Sequence, residues 1–384
     1  MAATITNRKP SAVSIDTSHQ CAGKLTIDLG ALRKNYRQCK DEVGPTCEVA
    51  AAVKANGYGI GSIQAVRALQ QEGADLFFVA TLDEALGLRK EFEDPDIRIA
   101  VLNGPLPNTE EIFDFYNLIP VLNSPECIDR WSKYSKRTRP YLKAILHIDT
   151  GMRRLGLSTN ETEYFKNRAQ ELSEILDINY VMSHFACADE KGHPLNEEQF
   201  EKFQNASDSF LSSKKSLANS SGIFRDKKYQ FDMVRPGMCL YGLNPTPEID
   251  NRMNAVVKLE VPVLQIRQAL QNESVGYGAS YVPNNDELLA TVQLGYADGF
   301  LRHLSSQGTL YWHGHACPIV GRVSMDLTIV SLKNIPEDIR TKQGDFMEVL
   351  GPNQSADDLA LDAGTIGYEI LTDLGRRYRR TYIG

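Results

Sequence analysis

No Cys-x-x-Cys pair occurs in the chain, and the seven cysteines (21, 39, 47, 127, 187, 239, 317) are odd in number and scattered. That pattern excludes a disulfide framework and a zinc site and points to a reducing compartment. No apolar run approaches the roughly 18 residues that a membrane-spanning helix needs. Excess positive charge is also missing. The net charge of −7 argues against a general nucleic-acid binder and favours solubility. There is no internal repeat and no low-complexity tract. Residues 1–22 are polar, rich in Ser and Thr, and lack an apolar signal core, so they are expected to be a flexible tail on a cytoplasmic protein.

What is present is the make-up of a globular protein, 42% apolar and 24% charged over 384 residues. That length predicts two domains. From residue 23 to about 253, strand-like and helix-like segments alternate. Strands are expected at Glu48–Lys54, Leu76–Ala80, Ile97–Leu102, Ile119–Leu122, Leu142–Ile148, Asn179–His184, Ser216–Ala218 and Met233–Arg235. Helices are expected at Ser62–Glu72, Leu82–Phe92, Thr109–Tyr116, Pro125–Tyr134, Glu161–Leu176 and Glu197–Leu211. Eight strands with helices between them fit a (β/α)8 barrel of the TIM type; a doubly wound sheet reads the same way. From residue 254 to 384 the pattern becomes short and alternating, with Gly, Pro and Asn turns, as in a mostly β domain. Strand-like pieces there include Leu259–Val261, Val263–Ile266 and Met347–Leu350, and one helix is expected at Ala363–Gly375.

Lys54 ends the apolar run Val49-Ala50-Ala51-Ala52-Val53 and is followed by Ala55-Asn56-Gly57-Tyr58-Gly59. A run of that kind reads as a strand buried on both faces, and the carboxyl end of such a strand is where α/β enzymes keep their chemistry. Burial lowers the pKa of an amine, and a neutral amine attacks carbonyls to form a Schiff base. Read structurally, Lys54 only snorkels from a strand end. Four further expected strand ends carry polar groups: Asp149 to Gly156, Ser183-His184, Asn219-Ser220-Ser221 and Arg235-Pro236-Gly237-Met238. Asn219, Ser220 and the amides near Gly237 suit a phosphate. His184 and Arg235 suit a ring, and Arg154 suits a carboxylate. Their bland readings are a satisfied core histidine, a turn-shaping residue and a surface ion pair.

These segments resemble the alanine racemase family. The landmarks run in family order: Val53-Lys54-Ala55-Asn56-Gly57-Tyr58-Gly59, His147-Ile148-Asp149-Thr150-Gly151-Met152, Ser183 to Glu190, Asn219-Ser220, Val234-Arg235-Pro236-Gly237, Gly276-Tyr277-Gly278-Ala279, Leu294 to Gly299 and Gly321 to Asp326. The resemblance implies a pyridoxal 5'-phosphate enzyme with a barrel and a C-terminal β domain. It further implies an amino-acid substrate and a homodimer with shared active sites. Lys54 would carry the cofactor covalently and act as one base, with Tyr277, reaching from the second subunit, as the other. Tyr58, Ser220, Gly237 and Met238 would contact the phosphate. Arg235 would face the pyridine nitrogen and His184 the second base. Arg154 and the amide of Met325 would hold the substrate carboxylate. Asp189, Arg302, Arg322 and Tyr296 would line the access corridor.

Two departures stand out. Many members carry, at the position of His147, a lysine modified to a carbamate that steers the carboxylate-binding arginine. At the C-terminus, Gly375-Arg376-Arg377-Tyr378-Arg379-Arg380 replaces the usual Ser-Tyr-Arg-Val-Pro-Arg. The phosphate tyrosine of that motif falls on Arg376, with Tyr378 two places on, and the basic run also reads as a solvated face. The family implies D-alanine supply for peptidoglycan, or alanine catabolism. Rivals are a broad-specificity or serine racemase, a related decarboxylase, which would place a glutamate where Arg235 stands, and a cofactor-binding regulator without turnover, which would lack residues 256–384.

Overall fold

Short, continuously apolar segments make the staves of a parallel barrel, because strands covered on both faces have no polar side to show. The computed structural model describes residues 23–384; the expected tail, residues 1–22, lies outside them. In chain order the barrel strands are β2 (Glu48–Val49), β3 (Ala51–Ala52), β4 (Leu76–Val79), β5 (Arg98–Val101), β6 (Leu118–Leu122), β7 (Leu142–His147), β8 (Leu176–Met182), β9 (Lys214–Ser216) and β10 (Met233–Val234), preceded by β1 (Lys24–Asp28). Strands β3 to β9 form one parallel sheet in sequence order. β2 and β3 are two parts of one stave. β2 pairs with β10, while β3 pairs with β4. The Asp232 amide bonds to the Lys215 carbonyl at 3.1 Å and the Arg235 amide to that of Ala218 at 3.0 Å, which joins β9 to β10 and closes the ring. The barrel-plus-β architecture is therefore the one the sequence led us to expect.

Helices cover the outside, and local chemistry starts them. Thr81 and Glu84 form a reciprocal capping box before Leu82–Glu91, and Ser124 caps Pro125–Thr138, where proline occupies the first turn. The single helix expected at 161–176 is two, Thr159–Lys166 and Ala169–Ser173. Between them the Asn167 side chain donates to the Glu163 carbonyl at 3.0 Å and competes with the helix ladder. The helix expected at 363–375 is also two, Ala356–Ala363 and Gly367–Thr372, parted by Gly364 at φ 67°.

The C-terminal part is a sheet of β11 (Val257–Ala269), β12 (Glu287–Val292), β13 (Thr309–Trp312), β14 (His315–Pro318), β15 (Thr328–Ser331), β16 (Phe346–Leu350) and β17 (Arg379–Ile383), together with β1. β11 unites two segments that read as separate strands. It pairs with β1 and β16 up to Pro262 and with β12 beyond it, so the proline sits where the strand changes partners. β1 lies between β11 and β17, which brings the first and last described segments together. No helix among the described residues is long and apolar enough to cross a membrane.

One buried cation ties the barrel's flank. Arg89 donates to the carbonyls of Tyr116, Phe92, Asp94, Ile97 and Asn117 at 2.9–3.3 Å. Its guanidinium satisfies five acceptors that no apolar side chain replaces. Arg89→Met is expected to lower the unfolding free energy in urea titrations by about 3 kcal/mol, with no change in the denaturant slope.

Candidate active site

The chain turns left-handed directly after Lys54. Ala55, Asn56, Gly57, Tyr58 and Gly59 have φ of 52°, 54°, 63°, 51° and 86°. Only glycine adopts this region freely, so Ala55 and Tyr58 are strained unless contacts hold them. The Glu84 carboxylate accepts from the Ala55 amide at 2.6 Å and from that of Ala80 at 2.8 Å. The Asn56 side chain accepts from the Ser62 amide at 3.1 Å. A side chain at Gly59 would stand 2.0 Å from the Leu371 carbonyl oxygen, so the turn is pressed against the helix Gly367–Thr372. Lys54 is half-buried. Burial first, and the charge of Arg154 second, hold its ammonium below the usual lysine range, while Glu84 opposes them. Glu84 was not singled out in the sequence. Its signal, Thr81-x-x-Glu84, announces a helix cap but not this second duty.

A small cradle lies beside the turn. Ser220 Oγ accepts from the amides of Gly237 at 2.9 Å and Cys239 at 3.4 Å, and Asn219 caps the short helix behind it. The Tyr58 ring stacks on Tyr241 at 4.4 Å, and a side chain at Gly237 would stand 2.2 Å from the Tyr58 hydroxyl. Tyr58 is 6% exposed, yet its hydroxyl has no hydrogen-bond partner among the described residues. Tyr368 reaches the same place: its ring lies 6.0 Å from that of Tyr58 and its hydroxyl donates to the Met238 sulfur. The structure does not bring Arg376 or Tyr378 here. Arg376 is exposed, and Tyr378 is buried against Gly23 within the β part. The aromatic that arrives comes from a helix eight residues earlier than the motif position.

Across the mouth sits Arg235, 6% exposed, donating to Ser216 Oγ and to the carbonyl of Ser183. Burial lowers its pKa to about 10. Its Nη2 also lies 3.4 Å from His184 Nδ1. A guanidinium has no lone pair to offer, so Nδ1 is the acceptor and the His184 proton sits on Nε2. Burial and Arg235 keep His184 neutral. Gln199, fully buried, spans the strand ends: it donates to Thr150 Oγ1 at 3.2 Å and the His184 carbonyl at 2.9 Å, and accepts from the Ala186 amide at 2.9 Å. Nothing in the sequence marks it beyond a glutamine on the inner face of a helix.

At His147 the site holds a fixed neutral group. Asn123 donates its amide nitrogen to the carbonyls of Leu102 at 2.8 Å and Val121 at 3.2 Å, so its oxygen faces His147 Nδ1 at 2.8 Å. Nδ1 therefore donates, and Nε2 keeps its lone pair. Burial, then the charge of Arg235, pushes the ring's pKa down to about 3. Asp149 accepts from the amides of Gly151 and Arg153 at 2.9 and 3.0 Å and shapes the loop carrying Arg154, which is exposed.

Tyr277 and Met325 lie on the C-terminal part, 73% and 54% exposed, and among the described residues no hydrogen bond joins either to Lys54. Tyr277 opens a single 3-10 turn, and a side chain at Gly278 would stand 3.1 Å from the Arg322 guanidinium. Met325 adjoins Tyr296: its carbonyl accepts from the Ala297 amide at 3.0 Å.

Comparison with known proteins follows the same lines. Residues 27–245 match the family model for the alanine racemase N-terminal domain, and residues 256–382 that for the alanine racemase C-terminal domain. A catabolic alanine racemase of Agrobacterium fabrum is 44% identical over 362 residues, covering 94% of this chain and 92% of that protein. An alanine racemase of Rhodospirillum rubrum is 43% identical over 360 residues, 94% of this chain and 96% of its own. Among solved structures, the alanine racemase of Bartonella henselae with covalently bound pyridoxal phosphate superposes with a TM-score of 0.91 at 39% identity, over 95% of this chain and 100% of that one. The biosynthetic enzyme of Pseudomonas aeruginosa gives 0.87 at 32% identity, over 95% of this chain and 100% of its own.

The buried neutral His147 has a measurable signature. Its native pKa lies below the ordinary 6.5, so the unfolded chain takes up the proton first. Stability is whole above about pH 6.5 and declines as the pH falls toward about 3. Between pH 7 and pH 5, wild type is expected to lose about 2 kcal/mol more than His147→Gln in paired urea titrations.

Proposed function

The chain belongs to the alanine racemase family; its reaction is the interconversion of L- and D-alanine with pyridoxal 5'-phosphate, and we propose that Lys54 and Tyr277 of the partner subunit are its two bases. We divide the chain accordingly. Residues 23–253 hold the cofactor, and residues 254–384 supply the second base.

The residues fit the cofactor. Lys54 is an amine made less basic by its surroundings, as attachment to an aldehyde requires. The cradle leaves no room for a side chain at Gly237 and holds an unpartnered phenol at Tyr58, which is the donor set a phosphate needs. Lys54, Tyr58, His184, Asn219, Ser220, Arg235, Gly237 and Met238 would hold the cofactor. When bound it supplies an electron sink that weakens the substrate's α C–H bond.

The rest is done by protein groups. Lys54 takes or returns a proton on one face of the α-carbon, and Tyr277 of the partner subunit does so on the other. Inversion then needs no rotation of the substrate. Arg154 and the amide of Met325 of the partner subunit grip the carboxylate. His147 Nε2, held as an acceptor by Asn123, offers the guanidinium of Arg154 a neutral partner. Arg235, at about 10, still keeps its protons at neutral pH and acts as a fixed cation, not as an acid. A dimer is supported by the apolar and aromatic side chains that stand exposed on the β part, Tyr277, Tyr296, Met325 and Leu327, at 73%, 45%, 54% and 38%.

The observation that carries this reading is the half-buried amine of Lys54, its pKa lowered by burial, beside a cradle where Tyr58 presents a phenol that bonds to no other described residue. Purified protein incubated with L-alanine in deuterated water is expected to yield D-alanine carrying α-deuterium. Tyr277→Phe is expected to suppress exchange from one enantiomer at least tenfold more than from the other, since one of two opposed bases is lost. Loss of both to the same degree argues against opposed bases.

We also assign Tyr368 to the phosphate end of the site. Tyr368→Phe is expected to weaken apoenzyme binding of pyridoxal phosphate about tenfold while leaving binding of pyridoxal, which lacks the phosphate, within about twofold. Absorbance titration of the apoenzyme with each compound measures both.

A further inference from the structure

The basic run that closes the chain reads as a solvated face, yet two of its cations are internal ties. Arg377 Nε lies 2.6 Å from Asp298 Oδ1, and its Nη1 lies 2.7 Å from Asp326 Oδ1. Asp298 is buried, and its other oxygen accepts from the Gly295 amide at 2.9 Å, which closes the turn Tyr296–Asp298. Asp326 directly follows Met325, whose carbonyl is bonded to the same turn. One planar fork thus joins the turn to the loop that presents the Met325 amide. Three residues on, Arg380 Nη1 donates to the Gly59 carbonyl at 2.6 Å and Nη2 to that of Leu374 at 3.1 Å. The Tyr382 hydroxyl adds a bond to the Ile60 carbonyl at 2.7 Å. Gly59 ends the left-handed turn that begins after Lys54.

We propose that Arg377 and Arg380 are positioning residues that serve two different active sites of the assembled dimer. This rests on the two-base, shared-site reading above. Arg380 fixes the lysine turn of its own subunit, because Gly59 and Lys54 belong to one turn. Arg377 fixes the carboxylate-binding loop that the same chain lends to its neighbour, because Met325 stands 54% exposed with no hydrogen bond to its own Lys54. The C-terminal strand therefore sets the half-site it belongs to and the half-site across the interface. The planar guanidinium of Arg377 reaches the two carboxylates from two separate nitrogens, a fixed geometry that the point charge of a lysine does not supply.

The test separates the two tasks. In the holoenzyme, Arg377→Met is expected to raise the KM for L-alanine and the inhibition constant of propionate about tenfold, with kcat within about twofold and cofactor affinity unchanged. Arg380→Met is expected to weaken cofactor binding to the apoenzyme about tenfold, read by absorbance titration. Should Arg377→Met fail to fold, Asp326→Asn removes the same bridge from its exposed side and is expected to raise KM similarly. The exposed Arg379→Met is the control. Hybrid dimers with a Lys54→Ala subunit decide the direction. Paired with Arg377→Met, the one working site draws its loop from the intact chain, so KM returns to the wild-type value. Paired with Arg380→Met, the cofactor defect persists. Equal changes of KM and cofactor affinity in both variants, or a raised KM in the first hybrid, overturn the assignment. A wild-type chain that is monomeric or does not racemise alanine overturns the underlying reading as well.

Discussion

Five consecutive residues with positive φ after Lys54 are the constraint on which the site depends. Three of them are not glycine, and of these Ala55 and Tyr58 each cost about 1 kcal/mol or more in that conformation, while asparagine tolerates it. The turn persists because contacts from separate parts of the chain over-determine it. Glu84 takes the Ala55 amide, Asn56 takes the Ser62 amide, Leu371 leaves no space at Gly59, and Arg380 takes the Gly59 carbonyl. Two of those partners, Leu371 and Arg380, belong to the last fifteen residues. A lysine that must meet a carbonyl in a fixed direction is thereby aimed by residues over three hundred positions away, and the strain of the turn is held by tertiary structure.

The barrel supplies the complementary condition, a dry interior in which charge is disfavoured. Arg235, His147 and His184 all respond in the same sense, with their protonated forms penalised first by burial. The two imidazoles end in defined tautomers because their neighbours have no choice. Asn123 has spent its amide hydrogens on carbonyls, and Arg235 has only hydrogens to give. Second-layer groups such as Gln199 extend this logic to the backbone, since each of its polar atoms is matched at a strand end.

Much of this was legible in the residues. Val49 to Lys54 reads as a buried stave because both faces are covered, and each of the eight staves overlaps its expected segment, the seventh only at Ser216, since β9 is Lys214–Ser216 and not Ser216–Ala218. Helix starts carry their caps in view, as at Thr81-x-x-Glu84. What stayed hidden depends on distance along the chain. Nothing local in Arg379–Ile383 says that it pairs with Lys24–Asp28, and nothing in Pro262 says that β11 continues through it. The left-handed turn was half visible: Asn56, Gly57 and Gly59 tolerate it, while Ala55 and Tyr58 give no sign. Counting along the C-terminal motif led to Arg376 and Tyr378, because a motif records order and not direction. The fold turns Tyr378 inward to the β part and brings Tyr368 to the cradle instead.

The charges at the barrel mouth explain what kind of molecule completes it. Lys54, Arg154 and Arg235 are near enough to perturb one another or the histidines between them. The two carboxylates beside them are already engaged. Glu84 accepts from the amides of Ala55 and Ala80, and Asp149 from those of Gly151 and Arg153. The chain thus gathers cations and donors, the Tyr58 phenol among them, and commits the two nearby carboxylates to backbone amides. A phosphate at one end and a carboxylate at the other supply the missing negative charge where the donors point, and each ligand gains from desolvated partners that water alone satisfies poorly. Burial first, and then the charge of Arg154, lowers the pKa of Lys54, and Glu84 only partly opposes them. A carboxylate free to pair with it would favour the ammonium and weaken the base, so the engagement of Glu84 by the Ala55 and Ala80 amides is as much a part of the chemistry as the lysine itself.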